Sequence, residues 1–208
     1  MKAYIDLETG PADYELLAKL MPQFEPAANL KDPVKIESSI GAKRADWIAS
    51  AALRSTTGKI LAVTMAQDNA EPEFLTGDEA TLIDKAVQEL CDPAVTVYGW
   101  NLHGFDLPFL CQRAAVHGIK AFPCLTTKFK GRYSWCENLV DAMTVWNMSH
   151  QHVSGSGLGA VALALGVGEK SGDGKDFAEL LKTDPDKAKE YAVNDVNLLR
   201  KIVERMGI

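Results

Sequence analysis

The chain has 208 residues, 47% of them hydrophobic, which is enough to bury a core within one domain. No apolar run is long enough to span a bilayer and no basic-then-apolar leader opens the sequence, so the pattern predicts a cytoplasmic protein with no membrane partner. A formal net charge of -6 argues against a protein that coats nucleic acid, because such proteins carry a basic footprint.

In chain order, Lys2–Leu7 reads as a strand stopped by Gly10-Pro11. Residues 13–21 and 41–54 have helical spacing, with Pro22, Pro26 and Pro33 breaking the ground between them. GKILAVTMA (58–66) and EPEFLT (71–76) are strands joined by a short acidic loop that suits a hairpin. Residues 78–90 form an amphipathic helix with Asp78 as N-cap. A buried-looking strand follows at 94–100, then a helix from about Leu107 to His117, then a strand LVDAMTVW (139–146). Two or three helices finish the chain. Three leading strands followed by alternating strands and helices predict an α/β fold with a mixed sheet and helices on its faces. The stretch 11–57 is too long for a simple strand connection and reads as a helical insertion packed on the same core.

Three acidic sites carry the chemistry. In the opening strand, Tyr4, Asp6 and Glu8 share one face, and the two carboxylates stand about 7 Å apart. A wet acidic face would be the plain explanation. In the last helix, Thr183-Asp184-Pro185 supplies a start signal, and Ala188, Ala192, Val196, Leu199, Ile202, Val203 and Met206 make one apolar stripe. Tyr191 and Asp195, spaced i, i+4, lie within that stripe. A buried ionised Asp costs several kcal/mol unless it is paired or coordinated. Between the two, Asp106 precedes Leu107-Pro108, where an N-cap is the ordinary role.

Taken together, DLE in the first strand, NxxxFDxxxL around Asp106 and YxxxD at Tyr191/Asp195 resemble, in order, the three motifs of the DEDD 3′–5′ exonuclease superfamily. Tyrosine four residues before the last Asp is similar to the DEDDy branch, and the nearest likeness is to the proofreading exonuclease domain of B-family DNA polymerases. The resemblance spans nearly the whole chain. It implies a ribonuclease H-like mixed five-stranded sheet with helices on both faces, one exonuclease domain over 1–208, and a helical insertion (11–57) between strands 1 and 2 that departs from the family core.

The resemblance further implies two divalent cations, Mg²⁺ or Mn²⁺, which prefer oxygen ligands. Such a pair, about 3.5–4 Å apart, activates a water and stabilises the leaving 3′-oxygen. Asp6 would bridge the ions, Glu8 and Asp195 would hold the water-activating one, and Asp106 the second, directly or through water. Tyr191 would hydrogen-bond the attacking water; a phenol titrating near 10 suits orientation better than general base work. Leu7, Thr9, Asn101 and Phe105 match positions that contact the terminal nucleotides, although a core role explains Phe105 as well. The implied substrate is a single-stranded 3′ end, DNA favoured over RNA, releasing nucleoside 5′-monophosphates. An exoribonuclease, or a nucleic-acid-binding accessory module without turnover, are the alternatives. Bound cations would offset the acidic charge where the phosphate sits, and few phosphate contacts are needed at a chain end. Binding would then be non-processive unless a protein partner tethers the enzyme.

Several other features stay open or read plainly. Lys128–Trp135 interleaves basic and aromatic residues, as single-strand binding surfaces do, or as solvated charges over a half-buried face do. GSGLGA (155–160) imitates a dinucleotide fingerprint but reads as a Gly-rich helix entry, because residues 147–154 separate it from the strand. Asp141 lies near the site or simply ends its strand. His150-Gln151-His152 reads as a polar loop. Cys91, Cys111, Cys124 and Cys136 show no CxxC pair and read as reduced thiols.

Overall fold

The computed structural model describes residues 1–121, 138–149 and 155–208. Lys128–Trp135, His150-Gln151-His152, Cys124 and Cys136 lie outside them. The first strand, β1 (Lys2–Pro11), is the centre of a five-stranded sheet, with β2 (Gly58–Gln67), β3 (Glu73–Thr76), β4 (Thr96–Gly99) and β5 (Leu139–Asp141) in the order β3-β2-β1-β4-β5. β1 pairs antiparallel with β2 and parallel with β4. β3 continues antiparallel from β2, and β5 runs parallel to β4, so the sheet is mixed.

Side-chain alternation along β1 feeds two separate apolar layers. On one face Ala3, Ile5 and Leu7 pack with Leu82, Ile83, Ala86 and Leu90 of α3 (Glu79–Cys91) and Leu107, Leu110 and Ala114 of α4 (Asp106–Val116). On the other, Tyr4 packs with Tyr98 and with Val196, Leu199 and Val203 of the last helix, α8 (Pro185–Met206). Asp184 caps α8 by accepting from Lys187 N–H, with Pro185 in its first turn, as the sequence predicts. Two shorter helices, α6 (Leu158–Leu165) and α7 (Phe177–Thr183), flank α8 on the same face. Gly157 is the N-cap residue of α6, so GSGLGA is a helix entry.

Between β1 and β2 the second helix departs from its predicted bounds of 41–54. Pro33 begins a helix, α2 (Pro33–Ala49), instead of breaking one, because Asp32 caps the helix and Pro has no N–H to lose in a first turn. A shorter helix, α1 (Tyr14–Leu20), buries only Leu17, and α2 buries no residue. Ala12, Leu17 and Ala51, with Trp47 against them, form a small apolar cluster of their own. The strand expected over 139–146 also ends early. At Asp141 the carboxylate accepts Met143 and Thr144 N–H, and the chain turns into α5 (Ala142–Trp146). Cys111 is free and buried. Among the described residues no helix is long and apolar enough to cross a membrane.

Candidate metal centre

β1 and α8 bring the acids together. Asp6 and Glu8 project from the face of β1 that α8 covers, and Asp195 sits on the buried stripe of α8. One carboxylate oxygen from each of Asp6, Glu8 and Asp195 lies within 4.8 Å of the others, a group that could hold a metal ion. Glu8 and Asp195 are buried, whereas Asp6 keeps partial access to solvent. Opposite this pair of acids, register passes from Glu8↔Ala62 to Thr9↔Ile60, leaving Leu61 as a bulged residue. Such a bulge re-aims side chains at a strand end and is common beside functional sites.

Asp106 reaches the same place by a different route. β4 pairs with β1 only as far as Tyr4, so the next N–H groups on that edge of β1 have no strand to bond. The Leu7 N–H donates instead to Asp106 Oδ1 at 3.1 Å, across 99 residues of sequence. Asp106 is buried in the first turn of α4, and Phe105, not Asp106, is that helix's N-cap residue. The carboxylate therefore caps a sheet edge and not its own helix.

Tyr191 and a residue the sequence reading missed complete the cluster. Lys170 Nζ lies 2.8 Å from Asp195 Oδ2, donates to the Tyr191 hydroxyl at 2.9 Å and stands 5.0 Å from the Tyr191 ring centroid. The other oxygen, Asp195 Oδ1, is buried with no hydrogen-bond partner among the described residues. The loop that carries Lys170 passes close above the acids: a Cβ at Gly174 would sit 3.3 Å from the Tyr191 hydroxyl and 3.9 Å from Glu8 Oε2. The glycine density of GVGEKSGDGK (166–175) was the only sequence signal for this loop.

The remaining residues named from sequence fall around this centre. The Leu7 side chain is in the core, so its backbone is what faces Asp106. Thr9 is partly exposed at the bulge. Asn101 adopts a left-handed backbone (φ 61°). Phe105 is half-buried, tilted against Phe109 with centroids 5.4 Å apart. It also lines a cleft between α4 and Leu53–Thr56 at the end of the insertion. Asp141 is buried beneath the turn that carries Asn101.

Crowding of anions in a dry site raises every carboxyl. Burial first, and then Asp195, push Asp6 up to about 7, with Lys170 pulling the other way. Burial, then Asp6 and Asp195, push Glu8 to about 10. Asp106 is raised well above the ordinary range by burial and then by Asp6, and Asp195 is raised by burial against the pull of Lys170. The Tyr191 phenol rises too, through burial and then Glu8, so it stays protonated. An orphaned buried oxygen and acids that hold protons fit an all-oxygen site for a hard divalent cation.

This charge balance has a measurable consequence. Carboxyl values above those of the unfolded chain mean that the fold binds extra protons, so this contribution to stability is lost as pH rises from about 4 towards 7 and beyond. In chelator, the melting temperature of the wild type falls between pH 5 and pH 8 more steeply than that of Glu8→Gln. A divalent cation held by these acids would displace protons, so added Mn²⁺ would raise the wild-type melting temperature more at pH 8 than at pH 5. Melting curves at both pH values check this; equal slopes for wild type and Glu8→Gln would contradict it.

No family model and no curated protein matches the chain. Among solved structures it is similar to one described as "Structure of the family B DNA polymerase from the hyperthermophilic archaeon Pyrobaculum calidifontis". The superposition has a TM-score of 0.60 at 16% identity and covers 99% of this chain and 24% of that one. The likeness is one of fold: a mixed five-stranded sheet with helices on both faces, of the ribonuclease H-like kind.

Proposed function

We propose that the chain is a metal-dependent 3′–5′ exonuclease of the DEDDy type, releasing nucleoside 5′-monophosphates from a single-stranded 3′ end. The observation that supports it most is the convergence of Asp6, Glu8 and Asp195 within 4.8 Å, with Asp106 bonded to the backbone between the first two. Lys170 pairs with Asp195, but it brings one positive charge to four clustered acids, and divalent cations would supply the rest. Mg²⁺ or Mn²⁺, when bound as a pair, supplies charge neutralisation for the phosphate and acidifies the attacking water.

The chain's own residues would divide the remaining work. Asp6 would be shared between the two ions, Glu8 and Asp195 would hold one, and Asp106 would hold the other. The Tyr191 hydroxyl orients the attacking water, and Lys170 fixes that hydroxyl while lending positive charge beside Asp195. Asn101, Phe105, Thr9 and the Leu7 backbone contact the terminal nucleotides. The polymerase-like fold and the motif tyrosine favour DNA over RNA. The complete set of acids argues against a binding module without turnover.

The test is release of mononucleotides from 3′-labelled single-stranded DNA and RNA, with Mg²⁺ or Mn²⁺. Release that stops with chelator supports the enzyme, and faster release from DNA supports the substrate assignment. Faster release from RNA would make the protein an exoribonuclease. Retention of either nucleic acid with no release by the wild type would make it a binding module.

A further inference from the structure

We infer that Asp141 is a positioning residue that holds the turn carrying Asn101 and Asp106, and that through this turn it sets how tightly the second metal position is held. The inference rests on the nuclease reading. β4 ends at Gly99, which pairs in register with Asp141 at the end of β5. Beyond Gly99 the chain must reverse and deliver Asp106 to the edge of β1 within seven residues. It does so through an irregular turn. Asn101 takes a left-handed backbone, which Asn tolerates better than most residues. Its carbonyl accepts Gly104 N–H at 3.0 Å and Phe105 N–H at 2.9 Å. A Cβ at Gly104 would lie 2.2 Å from Asn101 Oδ1, so any larger residue there displaces the Asn101 side chain.

Leu102 of this turn is buried in the core and the His103 ring lies 3.0 Å from the Leu139 carbonyl of β5, while Asp141 holds the backbone of the turn. Its carboxylate is 1% exposed and accepts four backbone N–H groups. Oδ1 takes Asn101 at 3.1 Å, together with Met143 at 3.1 Å and Thr144 at 3.2 Å in the first turn of α5. Oδ2 takes His103 at 3.0 Å. Four charge-assisted bonds are a strong reason for a buried anion to stay where it is. The carboxylate thus ties the end of β5, the start of α5 and the Asn101–Phe105 turn to one point. Asp106 follows that turn directly, and on the far side its carboxylate accepts the Leu7 N–H. A slack turn leaves Asp106 displaced, and residues that orient metal ligands cost about 10–100-fold in metal affinity when lost.

The division of labour between the two oxygens supplies a selective variant. Asp141→Asn can keep its carbonyl at the Oδ1 position, preserving the α5 cap, while its amide faces the His103 N–H, donor against donor. Asp141→Asn therefore keeps its fold with a melting temperature a few degrees below the wild type, but needs about 10–100-fold more Mn²⁺ for half-maximal nucleotide release. Its rate recovers at saturating Mn²⁺, and calorimetry shows the weaker of two Mn²⁺ ions weakened by the same factor. Gly104→Ala, which crowds the turn from the opposite side, shows the same shift and decides the matter if Asp141→Asn does not fold. In an Asp106→Asn background, Asp141→Asn has no further effect on the Mn²⁺ requirement. An unchanged Mn²⁺ requirement in either folded variant, even with a lowered melting temperature, overturns the inference and leaves a purely structural cap. A wild type that neither binds Mn²⁺ nor releases nucleotide overturns the nuclease reading instead.

Discussion

Asp6→Asn lowers the rate of 3′ mononucleotide release by at least about 10³-fold while leaving the protein folded. Asp6 is the largest charged neighbour of both Glu8 and Asp106, so it stands between the two halves of the acidic cluster. Removing its charge loosens both proposed ion positions at once. One Lewis-acid contact is worth several kcal/mol in the transition state, and each 1.36 kcal/mol is tenfold in rate. The loss appears in kcat measured at saturating DNA and Mn²⁺, and raising Mn²⁺ does not restore it. Stability moves the opposite way in chelator: Asp6→Asn melts higher than the wild type at pH 8, because one of the mutually repelling acids is gone. A variant within tenfold of the wild-type rate would refute the role given to Asp6.

The second large effect concerns stability, away from the acids. Glu79 sits at the start of α3 and accepts two hydrogen bonds from Arg113 of α4, at 2.8 and 2.6 Å. It also accepts Ile60 N–H of β2 at 2.8 Å, and its Oε2 lies 2.7 Å from His117 Nε2. Arg113 in turn donates to the Ser55 carbonyl at 3.0 Å, where the insertion returns to the sheet. Burial pushes the Glu79 carboxyl up, but bonds from Arg113 and His117 outweigh it and hold the group below its usual value. Glu79→Ala strands a guanidinium whose side chain is 7% exposed. Breaking a buried pair from one side costs about 3–5 kcal/mol. For a chain of this size that is a fall of roughly 6–20 °C in melting temperature. Adding Arg113→Met to Glu79→Ala recovers part of the loss, since the unpaired charge is then gone. Calorimetric melts of the single and double variants check both statements, and a single variant within about 1 kcal/mol of the wild type would contradict the first.

Much of this protein was legible along the chain, because its organising signals are local. Alternation in KAYIDLETG determines that Tyr4, Asp6 and Glu8 share a face, and the 3.6-residue period places Tyr191 and Asp195 on the buried stripe of α8. The motif spacing around Asp106 puts it at a helix start, and the helix is there. What the chain could not show are arrangements that depend on residues far apart. Taken alone Asp106 reads as an N-cap and through its motif as a metal ligand, but its bond to the Leu7 N–H depends on β4 stopping at Gly99. Asp141 read either as a residue near the site or as a strand end, and its bonds to the turn that carries Asn101 and to α5 show only in the fold. Lys170 carries no motif at all; it pairs with Asp195 because a glycine-rich loop crosses that point of α8. Local periodicity is a property of a few neighbouring residues, but a buried charge or an unpaired N–H takes whichever partner the tertiary fold brings within about 3 Å.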